Sequence, residues 1–191
     1  MEKALIAMSG GVDSSVAAYL MQQDGFDCSG AMMQLWKSEQ AGNAEDAKKV
    51  AQRLGMDFHV FDYTSDFRRE VVDTFICCYE QGGTPNPCIQ CNRHLKFGAL
   101  LDKALSMGYQ KLVTGHYARI ERYLLFRAVD KKKDQTYFLS CLTQEQMKHI
   151  AFPLGTLTKE QVRQIAEEQG FINASKKDSQ DICFIPDGDY L

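Results

Sequence analysis

The chain has 191 residues, of which 45% are hydrophobic and 25% are charged, and its formal net charge is −3. This size suits one main core with a small appendage, and the slight negative charge excludes a generally basic nucleic-acid-binding surface. An RNA partner would therefore need local basic patches. No apolar stretch is long enough to cross a bilayer and no signal peptide is evident, so we expect a cytoplasmic protein without membrane contact.

The predicted elements alternate between strands and helices over the first part of the chain. Apolar runs predict buried strands at residues 3–8, 28–35, 58–61 and 111–114. Helical spacing predicts a helix that ends at Gly25, a second over 44–54 with Asn43 as its N-cap, and two more over 65–80 and 96–107. This alternation predicts an α/β fold, a doubly wound parallel sheet with helices on both faces.

The pattern changes after Gly115. Residues 118–122 and 124–129 predict a short hairpin, which a charged loop follows. Two helices are expected around 143–149 and 158–169, and the second has the capping-box pair Thr158 and Gln161.

A glycine loop with the sequence S-G-G-V-D-S stands at residues 9–14, between the first predicted strand and the first helix. Gly10 and Gly11 can adopt positive φ and let backbone N–H groups approach an anion, while Ser14 and Ser15 add hydroxyl donors. The chain has no Gly-x-x-x-x-Gly-Lys-Ser/Thr motif, so this is not the Walker form. The loop predicts a site for nucleotide phosphates.

This loop resembles that of the PP-loop ATP pyrophosphatases, which cleave ATP between its α and β phosphates and transfer AMP to a substrate oxygen. The resemblance implies ATP as a substrate, AMP and pyrophosphate as products, and Mg²⁺ beside the pyrophosphate. We treat a role for Asp13 in placing the metal as a hypothesis.

Seven cysteines in a chain expected to be cytoplasmic favour thiol or metal chemistry over structural disulfides. Cys88 and Cys91 form a C-x-x-C in a segment predicted to be an irregular loop, and Cys183 lies far downstream. Three loop thiols could meet at one site. A structural zinc site with His94 nearby and a mere packing role are the alternatives. Core or edge packing is expected for the remaining cysteines, Cys28, Cys77, Cys78 and Cys141.

Four further motifs make the resemblance specific: T-P-N-P-x-x-x-C-N at 84–92, G-H-Y at 115–117, K-D-Q-x-Y-F-L at 133–139 and S-Q-D-I-C-F at 179–184. Together they resemble the tRNA-specific 2-thiouridylases, which thiolate C2 of the wobble uridine in certain tRNAs. The resemblance implies an adenine nucleotide α-hydrolase-like fold. It also implies a PP-loop catalytic domain over 1–142 and a helical extension over 143–191 that begins a further domain.

The same resemblance implies roles for individual residues. Cys91 takes the place of the nucleophile and Cys183 that of the persulfide-bearing cysteine, and a disulfide can link the two. The expected partners are the tRNA anticodon loop and a protein that delivers persulfide sulfur. Contacts to tRNA fall on Asn86, Pro87, Cys88, Lys133, Asp134 and Gln135. Contacts to ATP fall on Ala7, Met8, Ser9, Gly10, Gly11, Val12, Asp13, Ser14, Met33 and Gly115.

Cys88 departs from the better-known pattern of this family, in which several relatives carry an aspartate that is thought to help activate the nucleophile. Cys88, Cys91 and Cys183 therefore also resemble the three-cysteine sets of iron–sulfur-dependent tRNA thiolases, in which a [4Fe–4S] cluster keeps one iron open for sulfide. The residues leave both routes open. Two other functions stand as alternatives, namely a different PP-loop adenylating enzyme that forms amides and a non-catalytic nucleotide- or zinc-binding module.

Overall fold

The computed structural model describes residues 1–36, 41–176 and 182–185. In these ranges five strands form the main sheet: β1 Lys3–Ala7, β2 Asp27–Gln34, β3 Phe58–Asp62, β4 Lys111–Val113 and β7 Ile150–Ala151. All neighbouring pairs are parallel, in the order β3-β2-β1-β4-β7. A separate antiparallel hairpin joins β5 Ala118–Glu121 to β6 Leu124–Arg127. The predicted parallel α/β sheet and the hairpin are confirmed.

Both faces of the sheet are covered, as the continuous apolar run of β1 requires. On one face the core includes residues of α1 Val12–Gln23, α2 Ala41–Arg53 and α8 Lys159–Glu168. On the other face, Phe97, Leu100 and Ala104 pack against Leu5 of β1. None of the helices in the described ranges is both long and apolar enough to cross a membrane.

Two long helices change register along their length. The first runs from α3 Thr64–Phe67 through a π-helical stretch, Arg68–Val72, into α4 Asp73–Glu80. The second runs from α5 Pro87–Gln90 through the π-helical segment Cys91–Leu100 into α6 Leu101–Ser106. In a π-helix the hydrogen bonds join residues five apart, and such stretches are frequent at functional sites.

The prediction that the cysteine pair lies in an irregular loop is wrong. The helix predicted to begin at residue 96 begins at Pro87, so Cys88 and Cys91 are helical. The Asn86 side chain accepts a hydrogen bond from the Ile89 N–H at 3.4 Å, and Pro87 occupies the first helical position. An asparagine N-cap followed by proline is a strong helix start, although the same pair also suits a turn.

Other boundaries also differ from the predictions. Asn43 lies inside the first turn of α2 and is not its N-cap. Cys77 is exposed, so its expected packing role is wrong, whereas Cys78 is partly buried and Cys28 is buried. The short strand β7 was not predicted, because two residues are too few for a pattern. Capping boxes begin both α8, as predicted, and α7 Gln144–Met147.

The strand order places a crevice beside β1. The chain moves from β1 outward to β2 and β3, and then returns to the other side of β1 as β4. Ligands of open parallel sheets bind at such a switch point, outside the carboxyl ends of the strands. The glycine loop follows β1 and Gly115 follows β4, so both reach this crevice.

Candidate active site

The glycine loop after β1 is held in a conformation that only Gly10 can supply. Gly10 has φ +75°, and a Cβ there would lie 2.2 Å from the carbonyl oxygen of Asn43. Gly11 has φ −91° and is the N-cap of α1, so the expected positive φ is confined to Gly10. Within the loop, the Ser14 hydroxyl donates to the Gly11 carbonyl at 3.1 Å. The loop therefore presents the N-terminus of α1, which favours anions, to the crevice.

The loop after β4 packs directly on the glycine loop. A Cβ at Gly115 would lie 2.8 Å from the carbonyl carbon of Asp13 and 2.9 Å from the Ser14 nitrogen. Next to it, the His116 Nδ1 lies 2.6 Å from the Thr114 Oγ1. Burial lowers the pKa of His116 well below 6.5, and the charge of Lys96 lowers it further. The imidazole is therefore neutral at neutral pH.

A cavity of about 520 Å³ lies between these loops and the helix that carries Cys91. This volume falls in the range of small-molecule and cofactor sites, about 300 to 1,000 Å³. Most of the residues predicted for the site line this cavity, so the glycine loop and the three cysteines border the same cavity. They are Ala7, Met8, Ser9, Gly11, Val12, Asp13, Ser14, Met33, Pro87, Cys88, Cys91, Gly115, Lys133, Gln135 and Cys183.

Three predicted site residues do not line the cavity. Gly10 belongs to the glycine loop but is not among the residues that line the cavity, and Asn86 caps α5. Asp134 accepts hydrogen bonds from the Ala128 N–H, the Thr136 hydroxyl and the Arg127 guanidinium. Burial opposes ionisation of Asp134, but these hydrogen bonds outweigh it and keep its pKa below the usual value.

Different elements bring the cysteines to the cavity. Cys91 is buried at the start of its π-helical segment, and Cys88 lies exposed on α5 just before it. Cys183 is positioned by its neighbour Phe184, whose ring lies edge-on to Phe67 at 5.6 Å and to Phe75 at 5.5 Å between centroids. This aromatic contact holds the segment of Cys183 against the helix that carries Phe67 and Phe75.

Both thiols proposed for chemistry are hard to ionise. Burial raises the pKa of Cys91, while the charge of Lys96 acts in the opposite direction. Cys183 is exposed as a residue, but its thiol faces the cavity, and loss of water there raises its pKa to about 11. A sulfur anion in this cavity therefore needs a nearby positive charge.

The thiols do not form a metal-ligand set in this structure. All seven cysteines lie in the described ranges and are free, so the disulfide between Cys91 and Cys183 is not formed. No three His, Cys, Asp or Glu side chains among the described residues come together as a metal site. The arrangement thus fits neither the zinc site with His94 nor a cluster held by Cys88, Cys91 and Cys183, and we derive no step through either.

A buried lysine, Lys159, contacts the glycine loop and has no signal in the sequence pattern. The Lys159 ammonium lies 2.7 and 2.9 Å from the two carboxylate oxygens of Asp13, and the Tyr117 hydroxyl donates to the first of them at 2.9 Å. Both oxygens of Asp13 are therefore engaged, so the carboxylate does not fit the role of an open ligand for Mg²⁺. No local spacing pattern could reveal a contact between residues 146 positions apart.

The segment after α8 also fastens the glycine loop. The Asn173 side-chain amide donates to the Gly10 carbonyl at 3.0 Å and to the Ser15 hydroxyl at 2.9 Å. The Lys176 ammonium contacts the same carbonyl at 3.3 Å and Asp46 at 2.9 Å. Ser15 is thus fully buried and structural, and does not supply the open hydroxyl donor that the sequence predicted.

Replacing Lys159 with methionine is expected to destabilise the loop, because it leaves the Asp13 carboxylate without its counter-ion. Breaking a buried pair costs about 3 to 5 kcal/mol, and the partial exposure of Asp13 reduces the expected loss to about 2 kcal/mol, with weaker ATP binding. The matched control is Lys148→Met, which breaks an exposed pair with Glu145 and should change neither property. Urea denaturation and calorimetric ATP titration measure both. Equal effects of the two variants would contradict the role given to Lys159.

The fold and the site define the class of α/β nucleotide-binding proteins. In this chain the glycine loop at the switch point of the sheet borders the same cavity as the cysteines. The chain belongs to the family described as the tRNA methyl transferase HUP domain, whose model matches residues 2–187. The resemblance stated from the motifs is thereby confirmed at the level of the family.

Individual relatives agree with this assignment. The chain is 51% identical over 202 residues to the tRNA-specific 2-thiouridylase MnmA of Treponema denticola, covering 98% of this chain and 55% of the relative. It is 47% identical to the enzyme of the same name from Chloroflexus aurantiacus, covering 100% of this chain and 57% of the relative. The chain thus spans somewhat more than half the length of these curated relatives.

A solved structure supports the fold. The structure of a 4-thiouridine synthetase–RNA complex with bound ATP matches with a TM-score of 0.67 and 19% identity, covering 95% of this chain and 44% of that chain. At this identity the likeness shows the fold alone. It confirms the predicted adenine nucleotide α-hydrolase-like sheet.

Proposed function

We propose that this protein takes part in ATP-dependent 2-thiolation of the wobble uridine of tRNA. The observation that carries the proposal is the single cavity that joins the phosphate loop to Cys91 and Cys183. Activation of a base by ATP and its attack by sulfur need one shared space, because the activated base must meet the sulfur nucleophile before water reaches it. The names of the relatives support this choice over the methyl transfer mentioned in the family description.

The first step activates the C2 oxygen of uracil, which is a poor leaving group. That oxygen attacks the α-phosphorus of ATP, the bond to pyrophosphate breaks, and the N3 proton is released to solvent. The glycine loop and the N-terminus of α1 hold the departing pyrophosphate. Mg²⁺ bound to ATP would offset the charge of the phosphates, and we assign no metal contact to Asp13 because Lys159 already engages that carboxylate.

The second step replaces AMP with sulfur. Cys183 carries a persulfide, and the Cys91 thiolate attacks the Cys183 sulfur. A Cys91–Cys183 disulfide forms, the bond to the terminal sulfur breaks, and that sulfur leaves as hydrosulfide with the electron pair. Hydrosulfide attacks C2, AMP departs, and a thiol reductant then reduces the disulfide for the next turnover.

The tRNA contacts are proposed at the mouth of the cavity. Lys133 and Gln135 line it, and the Gln135 side chain accepts from the Tyr117 N–H at 3.0 Å, which ties this segment to the loop after β4. Pro87 and Cys88 line the cavity beside Cys91, where the target base would sit. A base in a single-stranded anticodon loop can leave its stack at modest cost.

The sulfur donor is proposed to be a protein that carries a persulfide, since Cys183 is an exposed residue. Seven free cysteines suit a reducing compartment, which supports a cytoplasmic location.

The test combines the protein, ATP, Mg²⁺, unmodified tRNA and a persulfide-carrying donor under anaerobic, iron-free conditions. Mass spectrometry of the digested tRNA should detect 2-thiouridine, and pyrophosphate should form only when tRNA is present. Pyrophosphate release with a small carboxylate and ammonia instead of tRNA would favour an amide-forming enzyme. No pyrophosphate under any condition would favour a binding module. Thiolation only after iron–sulfur reconstitution would replace the persulfide route with the cluster route.

A further inference from the structure

Lys96 lines the cavity that contains Cys91 and Cys183, and the π-helical register explains its position. It lies five residues after Cys91 on the same π-helical segment, Cys91–Leu100. In an α-helix a residue five positions on points about 140° away, but in a π-helix it lies one hydrogen-bonded turn above on nearly the same side. Lys96 and Cys91 accordingly both line the cavity, whereas Arg93 and His94, which are closer in sequence, do not.

The Lys96 ammonium is also uncommitted. It forms no hydrogen bond or ion pair with any residue in the ranges 1–36, 41–176 and 182–185. Lys176, which lines the same cavity, is by contrast held by Asp46 and Asn43 at 2.9 and 2.7 Å. A partly buried lysine without a carboxylate partner is ready to hold an anion.

We propose that Lys96 is a positioning residue that holds the sulfur anions formed during transfer between Cys183 and Cys91. This inference rests on the proposed function and adds the charge that its second step needs. Two negative species arise there, the Cys91 thiolate that attacks and the hydrosulfide that leaves. Lys96 lines the same cavity as both thiols, so one ammonium can stabilise the negative charge as it moves from Cys91 to the terminal sulfur.

The electrostatics of the neighbouring groups agree with this placement. Burial raises the pKa of Cys91 and Cys183, and in both thiols the charge of Lys96 opposes the rise. His116 on the facing loop is kept neutral by burial and by Lys96, so it does not supply the cation. The charge of Cys88 on α5 acts in the opposite direction to Lys96, because it raises the pKa of Cys91.

The remaining charged groups nearby serve other contacts. Glu70 of the neighbouring π-helical stretch faces His94 at 3.8 Å, and neither lines the cavity. At the phosphate end, Asp13 is engaged by Lys159 and Tyr117.

The test measures thiol reactivity directly, without ATP or tRNA. Alkylation of Cys91 and Cys183 by iodoacetamide is followed from pH 6 to pH 10 by peptide mass spectrometry, since only the thiolate reacts. Lys96→Gln is expected to slow both alkylations at pH 8 on the order of 10-fold, with the increase of each rate displaced to higher pH, because the stabilising charge is lost. Lys96→Arg should restore most of the rate.

The matched control is Arg93→Gln. Arg93 is closer to Cys91 in sequence and lies on the same helix, but it does not line the cavity. The substitution should therefore leave both alkylation rates unchanged. In the thiolation assay, Lys96→Gln should lower 2-thiouridine formation while tRNA-dependent pyrophosphate release persists. Unchanged alkylation in Lys96→Gln would overturn the inference, as would an equal loss in Arg93→Gln. Because alkylation needs no thiolation activity, its outcome is independent of the proposed function.

Discussion

Replacing Cys183 or Cys91 with serine is expected to lower 2-thiouridine formation on the order of 1,000-fold or more, while tRNA-dependent pyrophosphate release continues. A serine hydroxyl cannot carry a transferable sulfur and cannot attack a persulfide, so the second step stops after the base has been adenylated. The measurement is 2-thiouridine by mass spectrometry beside a pyrophosphate assay on the same samples.

The controls separate chemistry from folding. Cys77 is exposed on α4 and does not line the cavity, so Cys77→Ser should retain full activity. Cys88 lines the cavity without a step assigned to it, so Cys88→Ser should lose far less than Cys91→Ser. An equal loss in Cys88→Ser would contradict the persulfide route and favour shared ligation by all three cysteines.

Replacing Gly10 with alanine is expected to cost about 3 kcal/mol of unfolding free energy and to weaken ATP binding at least about 10-fold, because two penalties combine. The residue has positive φ, and the new Cβ would lie 2.2 Å from the Asn43 carbonyl oxygen. Since backbone cannot swing aside as a side chain can, the start of α2 must move away from the loop. Urea denaturation and ATP titration measure the two effects.

Gly25→Ala is the matched control for the conformational penalty. Gly25 also has positive φ, at +85°, but nothing lies within 4 Å of its Cβ position, so the expected cost is about 1 kcal/mol with ATP binding unchanged. Gly115→Ala isolates the clash, because the Cβ would meet the backbone of Asp13 and Ser14 without positive φ. If Gly10→Ala lost no more stability than Gly25→Ala, this result would contradict the close packing of the glycine loop on α2.

The features that the sequence predicted well depend on neighbours along the chain. The capping box of Thr158 and Gln161 starts α8 as expected, because its partners are three residues apart. The glycine loop between β1 and α1 is where the apolar run and the helical pattern predicted it. Family membership followed from short motifs of the same local kind. The roles of the individual site residues stay predictions, which the serine variants above address.

The features that the sequence analysis missed depend on register or on long-range contact. An asparagine followed by proline suits both a turn and a helix start, and the tertiary structure chose the helix that carries Cys88 and Cys91. The register of the next ten residues is π-helical, which no apolar spacing indicated, and Lys96 and Cys91 of this segment line the same cavity.

The alternating α/β order, the glycine loop and the candidate thiols could be predicted from the sequence, because each depends on residues a few positions apart. The contact of Lys159 with Asp13, the packing of Phe184 on Phe67, and the shared cavity of Lys96 and the two thiols arise only in the folded chain. Those contacts join elements that the sheet topology brings together from distant parts of the chain. Their energies come from burial and from charges placed in a shared cavity, which local propensity does not encode.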